Sequence, residues 1–279
     1  MPKERPDVPQ FVKNRMDAMV DAIFSEARDD YDTTVHASNV YDYCLRRTAL
    51  HKKYKDRIVI TDKQRGIASA MTYLIGRHVQ KILTDHTPDL VGIWECQHCG
   101  VRVWGIKPVR CPDCLDKLFE YKELRLQIPC GKDLVISGSM DHLIRDVDKK
   151  TYFEEVKSIK PESYDALTEP EIQHVYQVQP YLWMIAAAKG DYKKKVDMLK
   201  LQSTKAYITY VCKTQKPMPM KTFTVYRDKK FMQRMNTIAK GLESISKLSG
   251  KLPPKLCSTS LHPMARNCKV RETCFKEVE

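Results

Sequence analysis

The stretch that decides the fold is Gly138-Ser139-Met140-Asp141-His142-Leu143-Ile144-Arg145, then the polar turn Asp146-Val147-Asp148-Lys149-Lys150, then Thr151-Tyr152-Phe153-Glu154-Glu155-Val156-Lys157-Ser158. Apolar and β-branched residues flank a cluster of turn formers. The segment from Lys132 to Ser158 therefore reads as two β-strands of a hairpin. If the hairpin turns around Asp148, facing positions sum to 296, which sets Asp141 opposite Glu155. Opposed residues on one face of a sheet have Cβ atoms about 4.5–5.5 Å apart. Strand side chains alternate, so Lys157 projects to the face of Glu155 and Val156 points into the core. Two carboxylates and a lysine converge.

Two adjacent carboxylates repel unless a cation sits between them. Mg²⁺ or Mn²⁺ suits them, being hard and oxygen-loving and retaining waters. Such an ion polarises a phosphoryl oxygen and makes bound water nucleophilic, and Lys157 is placed to orient that water or offset transition-state charge. The competing reading of the same residues is a solvated hairpin with alternating charges.

Outward from the hairpin, an apolar stripe of Ile67, Met71, Leu74, Ile75, Val79 and Ile82 predicts a helix over 62–83. Further helices are predicted over 171–189 and 228–248, and strands over 205–213 and 221–226. Near the start, Ser38 is a plausible N-cap for a short helix carrying Tyr41, Cys44 and Leu45. Residues 1–33 form a charged amphipathic leader in which Phe11, Met16, Met19, Val20, Ile23 and Phe24 recur at helical spacing. This order predicts an α/β fold, a central mixed sheet flanked by helices. It divides the chain into a leader (1–35), a core (36–91 and 121–279) and a cysteine-rich insert (92–120).

The 279 residues suffice for a substantial core without disulfide staples. Lys and Arg number 48 against 35 Asp and Glu, a net charge of +13 that favours polyanions, chiefly nucleic acid. The longest apolar run, Tyr181 to Ala188, is too short to span a bilayer. The N-terminus leads into no apolar signal region. A reducing cytoplasm is the expected compartment.

Ten cysteines in a reducing compartment require a role beyond disulfides. Cys96-Gln97-His98-Cys99 and Cys111-Pro112-Asp113-Cys114 form two C-x2-C knuckles, the spacing of a closed tetrahedral zinc site on a β-ribbon. Zinc folds such an insert outright. Trp104, Lys107 and Arg110 lie between the knuckles, where stacking and charge suit a DNA-contacting flap. The plainer reading is a structural zinc alone.

The ordered set Gly138…Asp141, Glu155-Val156-Lys157 and Gln177-Val178-Gln179-Pro180-Tyr181 resembles the RecB-like exonuclease branch of the PD-(D/E)XK nuclease superfamily. The resemblance covers about residues 36–80 and 130–275, and no single motif in it is specific; the zinc insert lies outside. It implies a restriction-endonuclease-like core and a DNA nuclease acting on single strands or ends. It implies a metal held by His78, Asp141, Glu155 and the Val156 carbonyl, with Lys157 assisting the attacking water. It implies that Gln177 and Tyr181, four apart on one helical face, reach toward the active site and the DNA strand. His174 on the same helix is a further candidate for that cleft. Read from the residues alone, His78 on an apolar stripe is an ordinary core histidine. This chain departs from the pattern in having Met140 before Asp141, and Pro180 inside the helix, where a kink is expected.

Tyr43-Cys44-Leu45-Arg46-Arg47 resembles the cysteine–arginine segment that opens the iron–sulfur members, the CRISPR-associated and AddB-type exonucleases. There, one early cysteine joins three late ones around a [4Fe–4S] cluster, which implies Cys44, Cys257, Cys268 and Cys274 here. The five-residue gap from Cys268 to Cys274 matches; Cys257 lies eleven positions before Cys268 instead of in a close C-x2-C. Four thiolates suit a cluster, and they equally suit a second zinc. Cys130 and Cys212 are expected to be buried or incidental thiols.

By charge and position Arg46, Arg47, Lys160 and Lys213 are candidate phosphate contacts. Proteins of recombination, replication or CRISPR adaptation are possible partners, in a bacterial, archaeal or phage-infected cell. Two other readings stand beside the nuclease. One is a non-catalytic nucleic-acid adaptor using the zinc ribbon and basic surface. The other is a zinc-stabilised scaffold for proteins.

Overall fold

The computed structural model describes residues 33–40, 43–54, 67–212, 219–247, 252–266, 268 and 270–276, together with Arg15 and Ala18. The amphipathic leader and Lys213 lie outside the described residues, apart from those two positions and 33–35.

Strand β8, Thr151–Ile159, organises the molecule. It pairs antiparallel with β7, His142–Arg145, and parallel with β9, Leu201–Cys212. The β7–β8 register runs His142↔Glu154, Leu143↔Phe153, Ile144↔Tyr152 and Arg145↔Thr151, so facing positions do sum to 296. The turn between them is closed by its own side chains. Asp146 Oδ1 accepts the Val147 N–H at 2.7 Å, and Asp148 Oδ1 accepts the Lys150 N–H at 2.9 Å.

The hairpin belongs to a seven-stranded mixed sheet. Its order is β10 (Met220–Tyr226), β9, β8, β7, β2 (Leu90–Cys96) and β3 (Arg102–Ile106), with β4 (Phe119–Lys122) also paired to β2. A second sheet holds β1 (Thr34–His36), β6 (Val135–Met140) and β5 (Leu124–Pro129). The segment read as two strands is thus three. The chain leaves β6 in the small sheet, bends at Asp141 and enters β7 in the large one. The cause is non-local: β6 takes a parallel partner in β1 and an antiparallel one in β5, which draws it away from β7.

Helices cover both faces of β8. Helix α1 is Leu45–Lys53, with Cys44 as its N-cap; Ser38 instead falls in a 3₁₀ turn, Ala37–Asn39. Helix α2, Ile67–His86, crosses the face carrying Glu154 and Ser158, where a Cβ on Gly76 would meet Ser158 Oγ at 3.7 Å. Three short or peripheral helices are α3 (Pro161–Asp165), α5 (Gly190–Met198) and α7 (Pro263–Arg266). Helix α4, Ile172–Ala187, covers the opposite face of β8. There the Tyr181 ring packs 4.8 Å from Phe153. The kink expected at Pro180 does not end the helix, which runs on through it with Val178 to Ile185 buried. Helix α6, Lys229–Ser246, is capped by Asp228, whose Oδ1 accepts the Phe231 N–H at 2.7 Å; α8 is Arg271–Lys276.

The core is formed by Leu126, Ile136, Leu143, Phe153, Val178, Leu182, Ile208 and Met235 with their neighbours. One expected apolar stripe departs from this. Val79 on α2 is buried, but Met71, Leu74 and Ile75 are 47%, 41% and 41% exposed. Cys130 and Cys212 are buried, as expected. No helix of the described residues is long and apolar enough to cross a membrane.

Candidate functional site

The bend between the two sheets creates the acidic site. Pairing of β7 with β8 stops at His142↔Glu154. By the same register the next partner of Val156 would be Met140, but Met140 pairs with Leu124 in the other sheet. The Asp141 side chain fills the gap: its Oδ2 accepts the Val156 N–H at 3.2 Å. Residue alternation then sets Glu155 and Lys157 on one face of β8. Lys157 Nζ donates to Glu155 Oε1 at 2.6 Å. Gln177 Nε2, from α4, donates to the same oxygen at 2.9 Å.

Burial dominates the electrostatics. It pushes the Asp141 carboxyl well above the usual carboxylate range, and the Glu155 charge pushes the same way. Lys157 and the Val156 N–H pull against them without prevailing. Glu155 itself is 3% exposed. Glu155 is buried and Asp141 half-buried, and the single charge of Lys157 acts on both. Their oxygen chemistry fits a hard divalent cation.

A second feature borders the site. Tyr210 Oη accepts the Glu171 N–H at 2.9 Å and lies 2.8 Å from His174 Nδ1. The Tyr210 hydroxyl thus links the Glu171 backbone to the His174 ring. Burial, with the Lys157 charge, lowers His174 to about 4, so the ring is neutral at physiological pH.

The structure does not gather every predicted residue here. His78 is exposed on α2, which lies on the Glu154 face of β8, opposite Glu155. Among the described residues the carboxylates and His78 do not form a group with ligand atoms within 4.8 Å of one another. Tyr181 is 6% exposed and packed against Phe153 and beneath Gly138, so it is a core residue and not a strand contact. Arg46, at 9% exposed, is buried too and donates from Nη1 to the Pro253 carbonyl at 2.9 Å. Arg47 stands over the Tyr43 ring. Both line the cysteine cavity described below; Arg46 is buried there, whereas Arg47 is half-buried. Lys160 is exposed at the end of β8.

Behind the site lies a polar relay. The Thr84 hydroxyl donates to the Gln80 carbonyl at 2.8 Å and lies 2.8 Å from His142 Nε2. His142 Nδ1 lies 3.2 Å from Glu154 Oε2, and Thr209 donates to Glu154 Oε1 at 2.6 Å. His142 is fully buried. The signal for this pair is in the sequence, because 142 and 154 satisfy the same sum as 141 and 155.

Cys96, Cys99, Cys111 and Cys114 bring their sulfurs within 4.8 Å of one another, a group able to hold a metal ion. Cys96–Cys114 and Cys99–Cys111 are each 3.5 Å apart, near the roughly 3.8 Å edge of a tetrahedron with 2.3 Å zinc–sulfur bonds. The two knuckles repeat one geometry. Cys96 O accepts the Gly100 N–H, and Cys111 O accepts the Leu115 N–H. Gly100 and Leu115 both take positive φ, +73° and +63°. Burial opposes ionisation of Cys111, but the backbone N–H groups of Cys114 and Asp113 outweigh it and bring the thiol down to about 7.

Cys44, Cys257, Cys268 and Cys274 line one cavity of about 420 Å³, together with Arg46 and Arg47. Cys44 caps α1 without a side-chain cap bond, which leaves its thiol to the cavity. Burial and the charges of the other three thiols raise Cys257. Among the described residues only the ribbon quartet is packed to within 4.8 Å, so this second quartet is the wider of the two.

No protein-family model matches the sequence, and no curated protein matches it. A solved structure described as "Crystal structure of SSO0001" is similar to this chain, with a TM-score of 0.43 and 14% identity over 85% of this chain and 88% of that one. A likeness of that size assigns neither family nor activity.

Proposed function

We propose that this chain is a divalent-metal-dependent nuclease that hydrolyses phosphodiester bonds of DNA, on single strands or at ends. The observation that carries the reading is the convergence of Asp141, Glu155, Lys157 and Gln177 at the bend between the two sheets. Asp141, Glu155 and the Val156 carbonyl are the proposed holders of Mg²⁺ or Mn²⁺. When bound, the ion supplies polarisation of the phosphoryl oxygen and a more acidic water. Lys157 orients the attacking water and offsets charge on the phosphate. Gln177 fixes the Glu155 carboxylate by its amide N–H. Lys160 is a candidate contact to the strand, and the net charge of +13 draws a polyanion toward the surface.

The same proposal assigns zinc to the ribbon quartet, which it folds. It assigns a [4Fe–4S] cluster to the second quartet. One observation supports the cluster over a second zinc: the four cysteines line a cavity instead of closing on a point. The cluster ties the chain's late cysteines to α1, an architectural role. The likeness to recombination and CRISPR-associated exonucleases makes proteins of those processes the proposed partners.

Digestion of end-labelled single- and double-stranded DNA in Mn²⁺ tests the activity. The proposal expects cleavage that EDTA stops and that Asp141→Ala abolishes in a folded protein. Salt-sensitive binding without cleavage would replace it with a nucleic-acid adaptor.

A further inference from the structure

Arg46 is the most completely buried cation beside the second cysteine cavity, at 9% exposed. One donor is accounted for, Nη1 to the Pro253 carbonyl at 2.9 Å. Its Nε is buried and has no hydrogen-bond partner. An ionised donor left this way costs more than a neutral one. Arg46 lies in the first turn of α1, two residues after Cys44. Cys44, Cys257, Cys268 and Cys274 line the same cavity as Arg46.

We propose that Arg46 is the built-in charge and hydrogen-bond partner of the anionic group held by Cys44, Cys257, Cys268 and Cys274. Its Nε–H donates to a sulfur of that group, and its charge offsets the thiolates. The inference rests on the reading of this cavity as a [4Fe–4S] site. It assigns Arg46 a role in tuning and retaining the cluster, apart from any contact with DNA. Hydrogen bonds and positive charge at the sulfurs favour the reduced, more negative form. Arg46 therefore raises the reduction potential.

The test uses the anaerobically reconstituted full chain and its Arg46→Gln and Arg46→Lys variants. Absorbance near roughly 400 nm reports the cluster, redox titration followed by electron paramagnetic resonance gives the midpoint, and bleaching by excess chelator gives retention. Folding is monitored by circular dichroism and by the zinc held in the ribbon. The expected result is a brown R46Q protein with a more negative midpoint and bleaching about tenfold faster or more. R46K, which keeps the charge but lacks the Nε–H, shows a smaller shift in the same direction. Wild-type midpoint and bleaching in R46Q overturn the role of Arg46 and leave the cluster standing. If R46Q does not fold, R46K decides: wild-type values in it overturn the proposal. A colourless wild-type protein carrying two equivalents of zinc overturns the cluster reading and the Arg46 proposal together.

Discussion

Asp141 accepts the backbone N–H of Val156, taking by its side chain the position that Met140 vacates when it pairs into the other sheet. The acid that a metal site needs is thus also a structural patch on the open edge of β8. It is bound in place by that hydrogen bond, and its partial burial comes at a cost.

That cost has a sign. The folded Asp141 carboxyl titrates above its ordinary value of 3.8, because of burial first and the Glu155 charge second. Its contribution to stability is fully present below that ordinary value and is lost as pH rises through the raised one. Asp141→Asn keeps an acceptor for the Val156 N–H and removes the ionisation. In EDTA at neutral pH the variant is expected to melt above the wild type, while its cleavage is abolished. Calorimetry with and without Mn²⁺ checks this; added Mn²⁺ should raise the wild-type melting temperature and leave the variant unchanged.

Lys157 and Gln177 share one oxygen of Glu155, so they are predicted to separate charge from positioning. Lys157→Ala should lower single-turnover cleavage by about 10²–10³-fold. Gln177→Ala should lower it less, and Gln177→Glu, by adding a third carboxylate, more than Gln177→Ala. Single-turnover rates with folding checked by circular dichroism give the order.

His174 predicts an acid limb of stability. Burial, then Lys157, hold it near 4 against an ordinary 6.5, with Glu171 opposing. The folded state binds fewer protons between those values, so its contribution is present above about 6.5 and is lost as pH falls toward about 4. Melting temperature measured from pH 7 down to pH 5 should fall, and His174→Gln should flatten part of that fall.

Much of this site was readable from the turn. Asp146 and Asp148 fix where the hairpin reverses, and alternation then sets which residues share a face, so Glu155 with Lys157, and Glu154 with His142, follow from counting. The break at Asp141 does not follow, because the parallel partner of β6 is a hundred residues away at Thr34–His36. His78 was misplaced for a related reason: a helical stripe tells which residues share a side of α2, not which side of the sheet that helix covers. Tyr181 shares a helical face with Gln177, yet Gln177 meets Glu155 and Tyr181 meets Phe153, two residues apart on the same face of β8. The ribbon cysteines needed no tertiary information, because their spacing is local.

Gly138 tests the packing behind the site. A Cβ there would lie 2.6 Å from Tyr181 Cε1 and 2.8 Å from the Ala37 Cβ. Both neighbours are held, Tyr181 by Phe153 and Ala37 by its 3₁₀ turn. Gly138→Ala is expected to destabilise by about 1–3 kcal/mol through overpacking. Urea unfolding gives the value, and Gly100→Ala, at an open position with positive φ, serves as a strain control.

The central claim is that Asp141 and Glu155 jointly grip one divalent cation, and counting that cation is its most direct test. Mn²⁺ binding to the zinc-loaded full chain, read by loss of the free-ion paramagnetic signal, should reveal a site that disappears in both Asp141→Asn and Glu155→Gln. Equal Mn²⁺ uptake by wild type and both variants would contradict it.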